Sequence, residues 1–424
     1  MISSMPALHL AMSVVEAVGE QGIEWLLMHA GLLKAPAVST RPSLAFGVVP
    51  AFDFTSPEYL DLHERADATA FQHPLWLDRA FARLIDAADR SPTILIGRSA
   101  CDDRLMLVLP MIRRKVGPFS MLDAADFDVA DYNALVFDRN AANDPRIVRE
   151  LLHQLGKLRL VRLRRVRDDT IDLPPGSGIA RRHTMDFMAH EVELTGPLEG
   201  WQSRILTPDF ARFLKSKRKR LAAKGTVALE QLSEPAGIRA AFQRMRHFRQ
   251  ARWANDALDD PACLAFYLDV AIAGARTGFA RTYVLTVNGT VHSVLFGIHH
   301  RGRFCFLLLG FDHEKLRNHS TGLLLLESII EDCIRRGDTV FDLTIGDEAY
   351  KERFATQSVP LHEVWIGQRP WTQLAPVALA AARKLVHSFT NRRGRGLRAE
   401  LRSASARSSI IYAGRMTIAP LILR

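Results

Sequence analysis

The chain is poor in cysteine, with four among 424 residues. Cys101, Cys263, Cys305 and Cys333 form no C-x-x-C pair, and none stands among histidines at zinc-ligand spacing. A disulfide scaffold and a zinc module are excluded, and the usage fits a reducing compartment. Cys305 and Cys333 lie within apolar runs and read as buried free thiols. Long hydrophobic runs are also missing. The longest, residues 304–311 and 322–326, fall far short of the roughly 20 residues a membrane span needs. Residues 1–33 lack the basic lead of a secretory signal, and Glu16, Glu20 and Glu24 interrupt their apolar pattern. A cytoplasmic protein without a transmembrane segment is the expectation.

What is present is an ordinary globular composition, 48 % hydrophobic and 24 % charged. The length suits about two or three domains. The net charge is +10, which favours phosphate-bearing partners. The excess is concentrated. Residues 157–167 carry six basic residues and no acid, residues 212–224 carry seven and no acid, and residues 383–407 are a third basic stretch.

A helix is predicted over residues 76–87. Apolar runs at 93–98 and 105–113 flank a polar turn at 101–103 and read as a β-hairpin. A helical stretch at 145–155 precedes residues 158–166, where apolar and basic residues roughly alternate, predicting a strand with one wet, positive face. Residues 172–178 form a loop by composition. A second copy of the plan follows, sharing no detectable sequence repeat. A basic helix spans 210–224 and stops at Gly225, with further helices at 238–253 and 261–275. Asn288-Gly289 favours a two-residue turn between strands 282–287 and 290–299. A turn at 300–303 leads to a third strand at 304–309. A loop at 310–320, a helix at 322–336 and a buried strand at 339–344 complete the order β-β-β-α-β, an α+β layer.

The strongest site signal is Arg317-Asn318-His319-Ser320-Thr321-Gly322, between a strand and a helix N-terminus. The first backbone N–H groups of a helix have no internal partners and carry partial positive charge, so they can cradle a pyrophosphate. Small residues allow close approach, and Arg317 adds a cation. The same residues also suit an ordinary Ser/Thr cap.

This order of elements resembles that of acyl-CoA N-acyltransferases (the GNAT superfamily), whose donor loop reads Arg/Gln-x-x-Gly-x-Gly/Ala. Arg317 and Gly322 match, and Ser320 stands where the middle Gly is usual. Residues 340–354 end a strand in Gly346-Asp347-Glu348-x-Tyr350-Lys351-x-x-Phe354 and resemble the CelD-like, or cellulose-biosynthesis, branch, which is related to Fem-type peptidyltransferases. Phe71-Gln72-His73-Pro74-Leu75-Trp76, the basic helix, Arg252-Trp253 and Gly310-Phe311-Asp312 fall at the expected places. The resemblance spans residues 71–365. It implies a mixed α+β fold, a tandem pair of GNAT-like domains, each a mostly antiparallel sheet flanked by helices. Residues 46–190 would be a degenerate domain and 191–369 the domain with the acyl-CoA site. Residues 1–45 are an extension of unspecified structure, and 370–424 a basic helix or tail.

The resemblance implies direct attack of an amine or hydroxyl on a thioester, with acetyl-CoA or another acyl-CoA as co-substrate and no metal. Leu309, on the strand whose N–H groups would meet the acyl carbonyl, joins Arg317, Asn318, His319, Ser320, Thr321 and Gly322 as donor-binding residues. Tyr350 stands where relatives place a tyrosine that protonates the leaving thiolate, and Lys351 where Fem-type enzymes place an oxyanion- or phosphate-binding lysine. Asp347 and Glu348 are candidates for acceptor binding or base catalysis, or for complementing the helix dipole. Asp312 is a further candidate base or a turn former. Arg252, Trp253, Lys217 and Arg218 are candidates to line the acceptor cleft.

The expected acceptor is a small molecule or glycan, a sugar or amino sugar of envelope or exopolysaccharide synthesis, with an anionic group as one option. Two other readings stand beside it. One is a Fem-type transferase using aminoacyl-tRNA. The other is a non-catalytic protein that binds RNA or a membrane surface. The basic helix lacks the interleaved aromatics of a single-strand platform, and no DNA partner is expected. Residues 374–386 read as an amphipathic helix that packs back or makes peripheral membrane contact.

Overall fold

Five helices begin with the same two-residue grammar, a capping side chain and then proline. Ser56-Pro57 opens α1 (Pro57–Arg65), His73-Pro74 opens α2 (Pro74–Leu84) and Asp144-Pro145 opens α3 (Pro145–Lys157). Thr207-Pro208 opens α4 (Pro208–Ala222) and, after α5 (Pro235–Gln250), Asp260-Pro261 opens α6 (Pro261–Thr277). Each cap accepts a bond from a first-turn N–H, and proline occupies a position whose N–H would have no partner. α7 (Thr321–Arg336) departs from this rule. A short α8 (Ala349–Phe354) follows. The computed structural model describes residues 44–85, 90–116, 119–158, 160–167, 180–250, 256–346 and 348–367. Apart from 99–102, these belong to one compact unit. The expectations for residues 1–43, 172–178 and 370–424, and for Asp347, Arg252 and Trp253, lie outside the described residues.

The strands are β1 (Leu44–Val49), β2 (Arg90–Ser99), β3 (Leu105–Val116), β4 (Phe119–Ala124), β5 (Val136–Phe137), β6 (Leu160–Arg167) and β7 (Ala180–Glu193). The second half adds β8 (Val227–Leu232), β9 (Ala280–Val287), β10 (Thr290–His300), β11 (Arg303–Phe311), β12 (Val340–Ile345) and β13 (Gln357–Gly367). All join one sheet in the order β1-β2-β3-β4-β6-β13-β7-β12-β11-β10-β9-β8, with β5 beside β3. The fold is mixed α+β, a mostly antiparallel sheet flanked by helices, as expected.

Each half repeats one pattern, an antiparallel meander followed by a parallel pair: β4 with β6, and β11 with β12. The closing strands are exchanged. β13 follows β12 in the chain but pairs with β6, and β7 follows β6 but pairs with β12. β7 and β13 then pair with each other from Glu191↔Gln357 to Ala180↔Ile366. A boundary between residues 190 and 191 falls inside β7. On one face of the sheet a single core uses Tyr59, Phe71 and Trp76 from the first half and Phe242, Phe266 and Tyr267 from the second. The opposite face carries two cores, one under α3 and one under α4 and α7.

The basic strand near residue 160 differs from its expectation. Among its described arginines Arg162, Arg165 and Arg167 are buried, not wet, Arg165 at 1 % exposed and Arg167 at 5 %, and Arg164 is half-buried. Arg162 makes a forked pair with Asp123 at 2.8 and 2.7 Å. Arg164 bonds Asp126 and Asp128 at 2.8–2.9 Å. These pairs explain how the charge is tolerated, because a buried guanidinium must meet a carboxylate. The acids lie 36–39 residues upstream, beyond the reach of a local pattern.

A histidine cluster joins the halves. His63 of α1, His73 at the start of α2 and His300 at the end of β10 have ring centroids 5.0–5.9 Å apart, and His73 stacks on Phe279 at 3.9 Å. Arg301 donates to the carbonyls of Ala66 and His63 beside them. Burial holds all three imidazoles below the ordinary 6.5, His63 at about 3 and His73 and His300 at about 4, with neighbouring cationic charge adding to the effect on His63 and His300. A depressed histidine contributes stability that is complete above its unfolded value and is lost as pH falls toward the folded one. Unfolding free energy is expected to fall between pH 6.5 and 4, by ~1.4 kcal/mol for each tenfold drop in an imidazole's proton affinity on folding. Urea denaturation of the wild type and of His63→Phe at pH 7.5, 5.5 and 4 checks this. The variant should show the shallower slope, and equal slopes would refute the cluster's role.

Candidate active site

The parallel strands β11 and β12 pair over only three rows, Arg303↔Val340, Phe304↔Phe341 and Cys305↔Asp342, and then separate. Thr344 marks the separation with a φ of 58°, a conformation a β-branched residue rarely adopts. Its N–H turns to the Asp342 carboxylate at 2.8 Å, and its hydroxyl bonds the Phe306 carbonyl at 3.1 Å. The first half separates β4 from β6 in the same manner, with Arg165 at φ 56°. Strain of this kind persists where surrounding structure fixes it, as at functional sites.

The two halves differ in what lies at the separation. In the first half, Asp126 and Asp128 fold inward onto arginines, leaving a cavity of about 10 Å³ lined by residues including Ala124, Asn133 and Leu163, too small for a ligand. The helix that follows, α3, has its first turn capped by the Asp144 carboxylate and by Pro145. In the second half, α7 starts without a side-chain cap. Its leading residue, Ser320, takes the left-handed conformation (φ 53°, ψ 44°), which explains why glycine is usual there. Thr321 is 1 % exposed, and its hydroxyl is buried without a hydrogen-bond partner. Gly322 packs against β11: a Cβ there would lie 3.0 Å from the Phe311 ring and 3.4 Å from Leu309.

Arg317, Asn318 and His319 form one short 3-10 turn before Ser320. Lys217 of α4 reaches across and donates to the Asn318 carbonyl at 2.6 Å. Burial, together with the charges of Lys224, Lys217 and Arg220, holds His319 below its ordinary value. Of the predicted donor residues, Arg317 to Gly322 are thus consecutive through this turn and the start of α7, beside Lys217 of α4, and Leu309 lies on β11 against Gly322. Arg218 points elsewhere on α4, pairing with the buried Glu327 of α7 at 2.6 Å.

Beyond β12 the chain turns at Gly346, where φ is 128° and a Cβ would lie 2.3 Å from the Glu348 carboxylate. Lys351 is 3 % exposed, bonded to the Ile345 carbonyl at 2.5 Å and ion-paired with Glu348 at 3.0 Å. It ties α8 to the end of β12 and points inward. Tyr350 packs with Leu309 against the second-half core. Burial pushes its hydroxyl well above the ordinary value, Glu348 pushes the same way, and Arg249 partly opposes them. Arg249, at the end of α5, donates to the Leu309 carbonyl at 2.8 Å and pairs with Asp256 at 2.6 Å. Sequence reading did not single it out, since its signal was one arginine among several on a predicted helix; the structure sets it against Leu309, a predicted donor residue. Asp312 anchors a turn: it accepts from the N–H groups of Glu314 and Lys315 and meets His292 at 3.3 Å. Burial opposes its charge, but these partners outweigh it and keep the carboxyl below its ordinary value. A depression of about 270 Å³ is lined by residues including Trp201, Gln202 and Arg218 and by none of residues 317–322. Among the described residues no cluster of three metal-binding side chains occurs, and no helix is long and apolar enough to cross a membrane.

Residues 208–352, from the start of α4 into α8, match a family model described as an acetyltransferase (GNAT) domain. The second half therefore carries the sequence pattern of that domain. A search of curated proteins finds no match. Among solved structures, FemX is similar, with a TM-score of 0.53 and 11 % identity over 77 % of this chain and 99 % of FemX. L-PGS from Bacillus licheniformis is similar at a TM-score of 0.48 and 13 % identity, covering 78 % of this chain and 96 % of its own. A tandem GNAT protein from the clavulanic acid biosynthesis pathway gives 0.41 and 12 %, covering 77 % and 100 %. The likeness to FemX is one of fold.

Proposed function

We propose that the second half binds an acyl-CoA and transfers its acyl group to an amine or hydroxyl of a small acceptor. The observation that carries this reading is the start of α7. It is uncapped, follows a left-handed Ser320 and faces cations, whereas α3 at the matching place in the first half is closed by Asp144 and Pro145. Free N–H groups at a helix start suit a pyrophosphate. β11, once clear of β12, presents backbone near Leu309 to the acyl carbonyl. Tyr350 faces the departing sulfur. A base to take the acceptor's proton is proposed in Glu348 or Asp347, and Lys351 is assigned to holding that turn in place.

We assign the acceptor to a sugar or amino sugar of envelope or exopolysaccharide synthesis, on the resemblance of residues 340–354 to the CelD-like branch. A Fem-type transfer from aminoacyl-tRNA is the second reading, favoured by the basic face of α4 and the FemX-like fold. The uncapped α7 favours the first, because a tRNA ester has no pyrophosphate to place there.

Calorimetric titration with acetyl-CoA tests the reading. The parent and Ser320→Gly, which suits the positive φ, are expected to bind saturably. Gly322→Trp, which fills the space against Phe311, is expected to lose binding. Absence of binding by the parent at millimolar ligand, with binding of aminoacyl-tRNA instead, would transfer the case to the second reading.

A further inference from the structure

The basic face of α4 divides into two stripes. Lys217, Arg220 and Lys224 recur at spacings of three and four, so they share one side of the helix. That side meets the donor loop, since Lys217 bonds Asn318 and all three charges are felt at His319. Lys215 and Lys219 project from the opposite side and are exposed. Among the described residues, Lys217, Arg220 and Lys224 form no ion pair, while their neighbours Arg212 and Arg218 pair with Asp209 and Glu327. Three cations are thus held together beside the loop without a carboxylate. Lys217 is half-buried there and Arg220 and Lys224 are exposed, so the group lies open to an anion from solvent and its like charges attract one together. The pyrophosphate does not account for it, because α7 provides that place. The unpartnered Thr321 hydroxyl independently points to a ligand at the same end of α7.

We infer that Arg220 and Lys224 form a site for the 3′-phosphate of a nucleotide donor, with Lys217 linking that site to the donor loop. The inference rests on the acyl-CoA reading and deepens it. A phosphomonoester at the ribose 3′ position carries close to two negative charges near neutral pH. It distinguishes CoA from dephospho-CoA, which shares the pyrophosphate and the pantetheine arm. The site therefore selects the phosphorylated donor without touching the reacting thioester.

The test compares affinities of CoA and dephospho-CoA for the full chain by calorimetry. Three proteins are used: the wild type, Arg220→Ala with Lys224→Ala, and Lys215→Ala with Lys219→Ala. The last removes equal charge from the other side of α4. The wild type should favour CoA by roughly tenfold or more, the worth of a charge-assisted contact. The Arg220/Lys224 variant should lose that preference and keep its affinity for dephospho-CoA, and the Lys215/Lys219 variant should keep the preference. Equal binding of both ligands by the wild type overturns the phosphate site while sparing the donor reading. Equal loss in both variants overturns it too, showing only diffuse charge. If neither ligand binds, the donor reading falls and the inference with it.

Discussion

Glu191→Ala is expected to destabilise the protein by about 3–5 kcal/mol, the usual effect of breaking a buried ion pair from one side. Glu191 is 1 % exposed and sits where the exchanged strands meet. It accepts from Arg167 at 2.5 Å, from Arg303, and from Gln357 at 2.9 Å. Asp342 shares the two arginines and accepts the Tyr132 hydroxyl at 2.7 Å. Burial pushes the Asp342 carboxyl up, the arginines pull it down, and Glu191 pushes it up again. Removing Glu191 takes a buried carboxylate away from two guanidiniums, those of Arg167 and Arg303. The members come from β6, β7, β11, β12, β13 and the segment after β4, so both halves should lose stability in one transition. Urea denaturation followed by fluorescence measures this. A loss below about 1 kcal/mol, typical of a surface pair, would contradict the account.

Tyr350→Phe is expected to lower kcat by roughly a hundredfold, with the affinity for acyl-CoA almost unchanged. The phenol loses no packing in this substitution; only its donor is removed. Burial makes Tyr350 a weaker acid than a free phenol, and an ordinary thiol is a stronger one. Its contribution is therefore a hydrogen bond to the sulfur as negative charge gathers there, aided by the nearby Arg249. The acyl-transfer rate, read from thiol release, should fall without a matching rise in KM. An unchanged kcat would remove Tyr350 from the chemistry.

Much of the fold was legible because its signals are local. Asn288-Gly289 and the apolar runs around it define the β9–β10 hairpin, and α7 followed from its apolar stripe and Gly337. The strand exchange was not legible, since β7 and β13 pair across more than 160 residues. The same holds for the arginines of β6, whose partners Asp123, Asp126 and Asp128 come from another element. Lys351 reads as an exposed helix lysine until the turn at Gly346 draws it beneath Glu348. The contrast between Asp144-Pro145 and Ser320-Thr321-Gly322 is written in the sequence, yet it acquires meaning only when α3 and α7 occupy matching places in the repeated pattern.

The central claim is that α7, and not α3, receives the donor. Amide hydrogen exchange of the full chain with and without acetyl-CoA tests it most directly. Slowed exchange confined to residues 317–324 and the neighbouring part of α4, with residues 138–147 unchanged, is the predicted result. Protection at the start of α3, or no protection at either helix under saturating ligand, would contradict it.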